Sequence, residues 1–132
     1  MLVNLYKWAE NFKNNPARRN RYILVTNGLA IVINLLLWVL LYYEFHRFAN
    51  DNPDISNLPL HYNVFFGIDK FGPWYGILWL PATGLIIALV NLLLAFVTYN
   101  KKILASYFLS FSNLLAQILL TLAAILITLI NL

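Results

Sequence analysis

The side chains that could do chemistry are concentrated between the first two apolar segments. Glu44, His46, Asp51, Asp54, His61 and Asp69 all fall in the stretch 44–73. A histidine and a carboxylate can act as acid and base or take a metal ion. No two of these residues have a tight ligand spacing such as H-E-x-x-H. The chain holds no cysteine, which removes thiol catalysis, thiolate metal sites and disulfides. Such a set becomes a site only through proximity in space, which spacing alone does not supply. The sequence therefore predicts no catalytic residue, no metal ligand and no cofactor. A surface enzyme that uses His61 and Asp69, metal- or histidine-dependent, is the less favoured alternative. In the favoured reading His61, Asn63 and Asp69 bond to backbone and fold the stretch back over the helix ends. A pair between Glu44 and Arg47, three apart, is expected to be worth little at an exposed position.

The densest part of this stretch runs LPLHYNVFFGIDKFGPWYG from Leu58 to Gly76. Asn50, Asp51, Asn52, Pro53 and Asp54 before it are turn formers. His61 to Phe66 reads as extended, closed by Gly67 and Gly72, which tolerate positive φ. Phe65, Phe66, Phe71, Trp74 and Tyr75 suit an outer membrane interface or the docking of an external protein partner. The order of Leu58, Pro59, His61, Tyr62 and Asn63, then Gly67, Asp69, Lys70 and Gly72, resembles a bacterial membrane domain of unknown function. That domain carries an LP-x-H-[FY]-N…G-x-x-D-[RK]-x-G loop between its first two helices. It stands at the front of immunity proteins against the sporulation-delaying toxin. The likeness covers this loop and the flanking helices. The present chain has one residue fewer between Gly67 and Asp69 and lacks the further helices of the larger immunity proteins. The resemblance implies a helical membrane domain and an accessory or immunity-like role, in a bacterium.

The elements that position this loop follow from composition. Hydrophobic residues make up 61% and charged residues 11% of the 132 positions. A soluble domain has about 45–50% and 25%, so this chain has too little polar surface to cover a globule in water. Three charge-free runs, 22–43, 74–97 and 107–130, are each long enough for the roughly 30 Å hydrocarbon core. The first exceeds the roughly 7–15 residues of a signal-peptide core and is read as a retained helix. The expected fold is thus all-α, one domain over 22–132, with an external loop at 44–73. Before it, 1–21 places Leu2, Leu5, Trp8 and Phe12 on one face of an amphipathic, interfacial helix that breaks at Asn14-Asn15-Pro16.

Lys7, Lys13, Arg18, Arg19, Arg21, Lys101 and Lys102 fall on one side of these spans, with only Arg47 and Lys70 on the other. The excess places the N-terminus and second loop in the cytoplasm of an inner (plasma) membrane and the C-terminus outside. Arg18, Arg19, Arg21, Lys101 and Lys102 are expected contacts for anionic lipid headgroups, a reading preferred to nucleic-acid binding.

Within the spans, Ser106, Ser110, Asn113, Gln117, Thr121, Ala124 and Thr128 share one face of the third helix. Asn27 and Asn34 share a face of the first, and Asn91 and Thr83 lie in the second. Pro81 and Gly84 are expected to kink the second helix and free a carbonyl. Ser112 and Ala116 form a small-xxx-small pair. Bare amides are costly in lipid, so this stripe should face protein. It can join the three helices, join copies in a homo-oligomer, or line the path of an oligomeric channel or small-solute transporter. No Asp, Glu, Lys, Arg or His lies in any span, which favours packing.

Overall fold

The computed structural model describes residues 10, 13–54 and 57–131. Its backbone is three long helices and one hairpin. Helix α1 is Arg21–Asp51, α2 is Trp79–Tyr99 and α3 is Ile103–Asn131. Between α1 and α2 lie strands β1, Leu58–Asn63, and β2, Gly67–Gly72, and a 3-10 helix, Trp74–Leu78, that runs directly into α2. All three α-helices, the second counted from Trp74, are long and apolar enough to cross a membrane. The face of the amphipathic helix expected over 1–21 lies outside the described residues. Glu10 and Lys13 are helical, and Asn14 N–H donates to the Glu10 carbonyl at 3.0 Å.

The chain then breaks and caps twice. Asn15 accepts from Ala17 N–H and opens a 3-10 helix, Pro16–Arg19, with the proline where its missing N–H is not needed. Asn20 accepts from Ile23 N–H and caps α1. The same two asparagines bind this segment to the other helices. Asn15 donates to the Phe96 carbonyl at 2.7 Å, and Asn20 to the Tyr99 and Tyr107 hydroxyls at 3.0 and 2.8 Å. Helices α2 and α3 meet at this same end in a tight turn, where Lys101 and Lys102 N–H both donate to the Thr98 carbonyl. We call it the basic end.

At 31 residues, α1 is about 46 Å long and overshoots a hydrocarbon core of about 30 Å. Asn52 closes its last turn on the Phe48 carbonyl through both backbone and side chain. Arg47 does not pair with Glu44. It reaches onward to Asp51 at 3.7 Å, both side chains exposed.

The loop is a hairpin rather than one extended run. Leu58 pairs with Gly72, Tyr62 with Ile68 and Asn63 with Gly67, with irregularities on both sides of His61. Val64, Phe65 and Phe66 form the turn, because Asn63 accepts from Phe65 N–H at 2.9 Å and Gly67 takes φ +75°. The root of the hairpin is fixed to α3, since the Asn131 amide donates to the Pro59 carbonyl at 2.8 Å. Beneath it, Leu37, Leu41 and Phe45 of α1, Leu58 of β1, Ile77, and Ala124 and Ile127 of α3 form the main apolar cluster. A smaller one, Ala17, Ile23 and Phe96, closes the basic end.

Phe45 is fully buried at the junction of α1, the hairpin and the 3-10 helix. Phe45→Ala should cost about 3–5 kcal/mol, read by reversible unfolding in detergent, and should speed amide exchange in 58–72 more than at the basic end.

Candidate functional site

Between the two apolar clusters the three helices meet through polar groups. Asn27, Asn34, Ser106, Ser110, Asn113 and Gln117 are all buried. Asn27 donates to Ser110 at 2.9 Å and Asn113 donates to Asn27 at 2.7 Å, which joins α1 to α3. Asn34 donates to Gln117 at 3.1 Å, a second junction of the same two helices. Helix α2 enters through its backbone. Its Pro81, Gly84, Ala88 and Ala95 carbonyls accept from Asn34, Gln117, Asn113 and Ser106 respectively. Each carbonyl has a second lone pair beyond the one its own helix uses.

This arrangement requires close approach, and α2 supplies it with a seam of small residues. Pro81, Gly84, Ala88 and Ala95 are its buried positions, with Phe96. A Cβ on Gly84 would stand 2.5 Å from Asn34 Nδ2 and 2.9 Å from both Gln117 Oε1 and Leu120 Cδ1. Pro81 lies in the first turn of α2, where a missing N–H leaves no gap, so in place of the expected kink a 3-10 helix runs into α2 there. The carbonyls used are those of Pro81 and Gly84 themselves. Donors are nearly all engaged, while the Asn34 and Asn113 Oδ1 atoms are buried and accept nothing among the described residues.

The stripe read from sequence divides here. Ser106, Ser110, Asn113 and Gln117 form the buried layer. Thr121 and Thr128 are half-buried, donate to the Gln117 and Ala124 carbonyls of their own helix, and face a groove between α1 and α3. Asn91 is half-buried and its side chain makes no hydrogen bond among the described residues. Ser112 is exposed and Ala116 only half-buried, so that small pair does not form the seam.

At the hairpin end, His61 and Asp69 bond to each other rather than to backbone. Nδ1 and Oδ1 are 2.6 Å apart across the two strands, and both side chains are substantially exposed. Carboxylate and imidazole in this relation fix the ring and leave Nε2 available for a further hydrogen bond. His61 and Lys70 border a hollow of about 260 Å³ that also touches Trp79 and Thr83. Leu58 is buried below, and Pro59, Tyr62, Asn63, Gly67 and Gly72 shape the strands and their turn. The remaining titratable groups lie apart. His46 meets Asn50 at 3.2 Å and stacks among Tyr42 and Trp74, and Asp51 holds Arg47. No group of three His, Cys, Asp or Glu placed to hold a metal ion occurs among the described residues.

At the basic end, Arg18, Arg19, Arg21, Lys101 and Lys102 are all exposed. Lys13, Asn14, Asn15, Pro16, Arg18 and Arg19 surround a concavity of about 450 Å³, and Arg18 folds back to the Lys13 carbonyl at 3.4 Å. Sequence reasoning did not single out Asn20 or Asn131, nor Asn15 beyond its part in the break. Asparagine beside a helix start or end was the available signal. Comparison with family models, with curated proteins and with solved structures finds no match to this chain.

Gly84→Ala forces the Asn34–Gln117 junction apart and should lower unfolding free energy by about 1–3 kcal/mol. A double-mutant cycle of Asn34→Ala and Gln117→Ala should give a coupling of about 0.6–1.7 kcal/mol. Asn91→Leu, measured the same way, should change stability by about 0.5 kcal/mol or less.

Proposed function

We propose that this chain is a non-enzymatic accessory protein of a bacterial plasma membrane, a three-helix unit that presents an aromatic hairpin to an external protein partner. The observation that carries the proposal is the hairpin tip. Val64, Phe65 and Phe66 are 83, 89 and 83% exposed on a stem whose root is buried and tied to two helices. Large apolar side chains held in place lose little conformational freedom on binding, which is what a recognition anchor needs. The likeness of 58–72 to the loop of toxin-immunity membrane domains supports the same reading.

An oligomeric channel or small-solute transporter would need polar groups facing a shared path. Here Ser106, Ser110, Asn113 and Gln117 are bonded inside one chain, which favours the accessory reading. The gathering of Arg18, Arg19, Arg21, Lys101 and Lys102 at one end supports cytoplasmic placement of that end against anionic headgroups. The hairpin then faces outward.

Three measurements test this. Reporter fusions at Lys102 and after the last residue should report cytoplasm and exterior; the reverse pattern removes an external role for the hairpin. In lipid nanodiscs the chain should remain monomeric by native mass spectrometry at every protein-to-lipid ratio. A photo-crosslinker at position 65 in cells should give a discrete protein adduct that Phe66→Ser weakens. A ring of fixed number, or adducts with lipid alone, would defeat the proposal.

A further inference from the structure

The groove between α1 and α3 at the hairpin end encloses about 480 Å³ and opens sideways from the bundle. Leu37, Leu40, Ile125 and Leu129 wall it, and the Thr121 and Thr128 hydroxyls lie along it with their protons already donated to α3 carbonyls. From Leu37 to Glu44 it covers two turns of α1, roughly 10 Å, enough for the upper part of an acyl chain. At its top stands Glu44, half-buried. Its carboxylate has no ion pair and no hydrogen bond among the described residues, and Arg47, one turn on, has gone to Asp51.

Glu44 lies about 33 Å along α1 from Tyr22, the residue at the opposite membrane boundary, so it sits at headgroup level. A groove open to the bilayer, apolar below and carboxylate above, fits an amphiphile with a cationic head. The lining selects further. No aromatic side chain borders the groove, so a quaternary ammonium would find no ring face. A primary ammonium brings N–H donors that a carboxylate takes in charge-assisted hydrogen bonds. An anionic head would be repelled.

We propose that this groove is a lipid site for phosphatidylethanolamine, with an acyl chain between α1 and α3 and the ammonium on Glu44. The full chain is placed in nanodiscs of phosphatidylethanolamine, phosphatidylcholine and phosphatidylglycerol with identical acyl chains, then released for native mass spectrometry. Ethanolamine lipid should be retained over choline lipid by about tenfold, and Glu44→Gln should bring that ratio close to one. Ile125→Trp, which fills the groove from a lipid-exposed position, should abolish the preference. Phosphatidylglycerol held at the basic end should not respond to either change, so only the ethanolamine-to-choline ratio is read. Unfolding in detergent checks that both variants fold. Equal retention of the two lipids, a preference that survives either substitution, or a dimer that carries no lipid would each overturn the assignment.

Discussion

The contact of Gln117 and Asn34 over Gly84 is the constraint on which the rest of the structure depends. Inside a bilayer, lipid tails are as apolar as leucine, so burying leucine between helices gains little. Close packing and hydrogen bonds must hold the bundle. Both converge on Gly84, where a single hydrogen atom in place of a methyl group lets two amides from two other helices share one spot. With α1 and α3 fixed there, Leu37, Leu41 and Phe45 stand against Ala124 and Ile127, and the hairpin has a floor.

The three spans were legible as long charge-free runs, and the inward-facing stripe and the shared face of Asn27 and Asn34 because they are periodic. What the amides bond to was not. Four of the acceptors are backbone carbonyls of α2, and a carbonyl is present at every residue. Only the small side chains at Gly84, Ala88 and Ala95 mark where it can be reached. Ser112 and Ala116 show the limit of that signal, since the same spacing occurs where Ser112 is exposed and Ala116 only half-buried. The pairing of His61 with Asp69 was hidden for a different reason. They are eight residues apart, and irregular register beside His61 sets which side chains meet across the strands. The turn at Val64 to Phe66 depended on one Asn side chain and one positive φ, both local features that a coarse reading as extended backbone passes over.

The two ends of the molecule are held by different means. The basic end is tied by asparagines and tyrosines, with Asn20 between Tyr99 and Tyr107. The hairpin end rests on an apolar cluster capped by aromatic contacts among Tyr42, His46 and Trp74. The first arrangement suits a boundary rich in water and phosphate. The second gives the hairpin a stiff seat. Glu44 lies on another side of α1 from this aromatic group and faces the groove.

The bond from Asn131 to Pro59 joins groups 72 positions apart in the chain. Synthesis delivers β1 and β2 long before the last turn of α3. Until that turn arrives, the hairpin lacks its anchor and part of its floor, because Ala124 and Ile127 also come from α3. The third helix meanwhile carries Asn113 and Gln117, whose partners wait on the two helices already in the bilayer. Maturation of the hairpin is therefore timed by the third helix: a nascent chain with two helices inserted displays the hairpin sequence without its seat, and insertion of the third completes the helix bundle and the hairpin fold in one event.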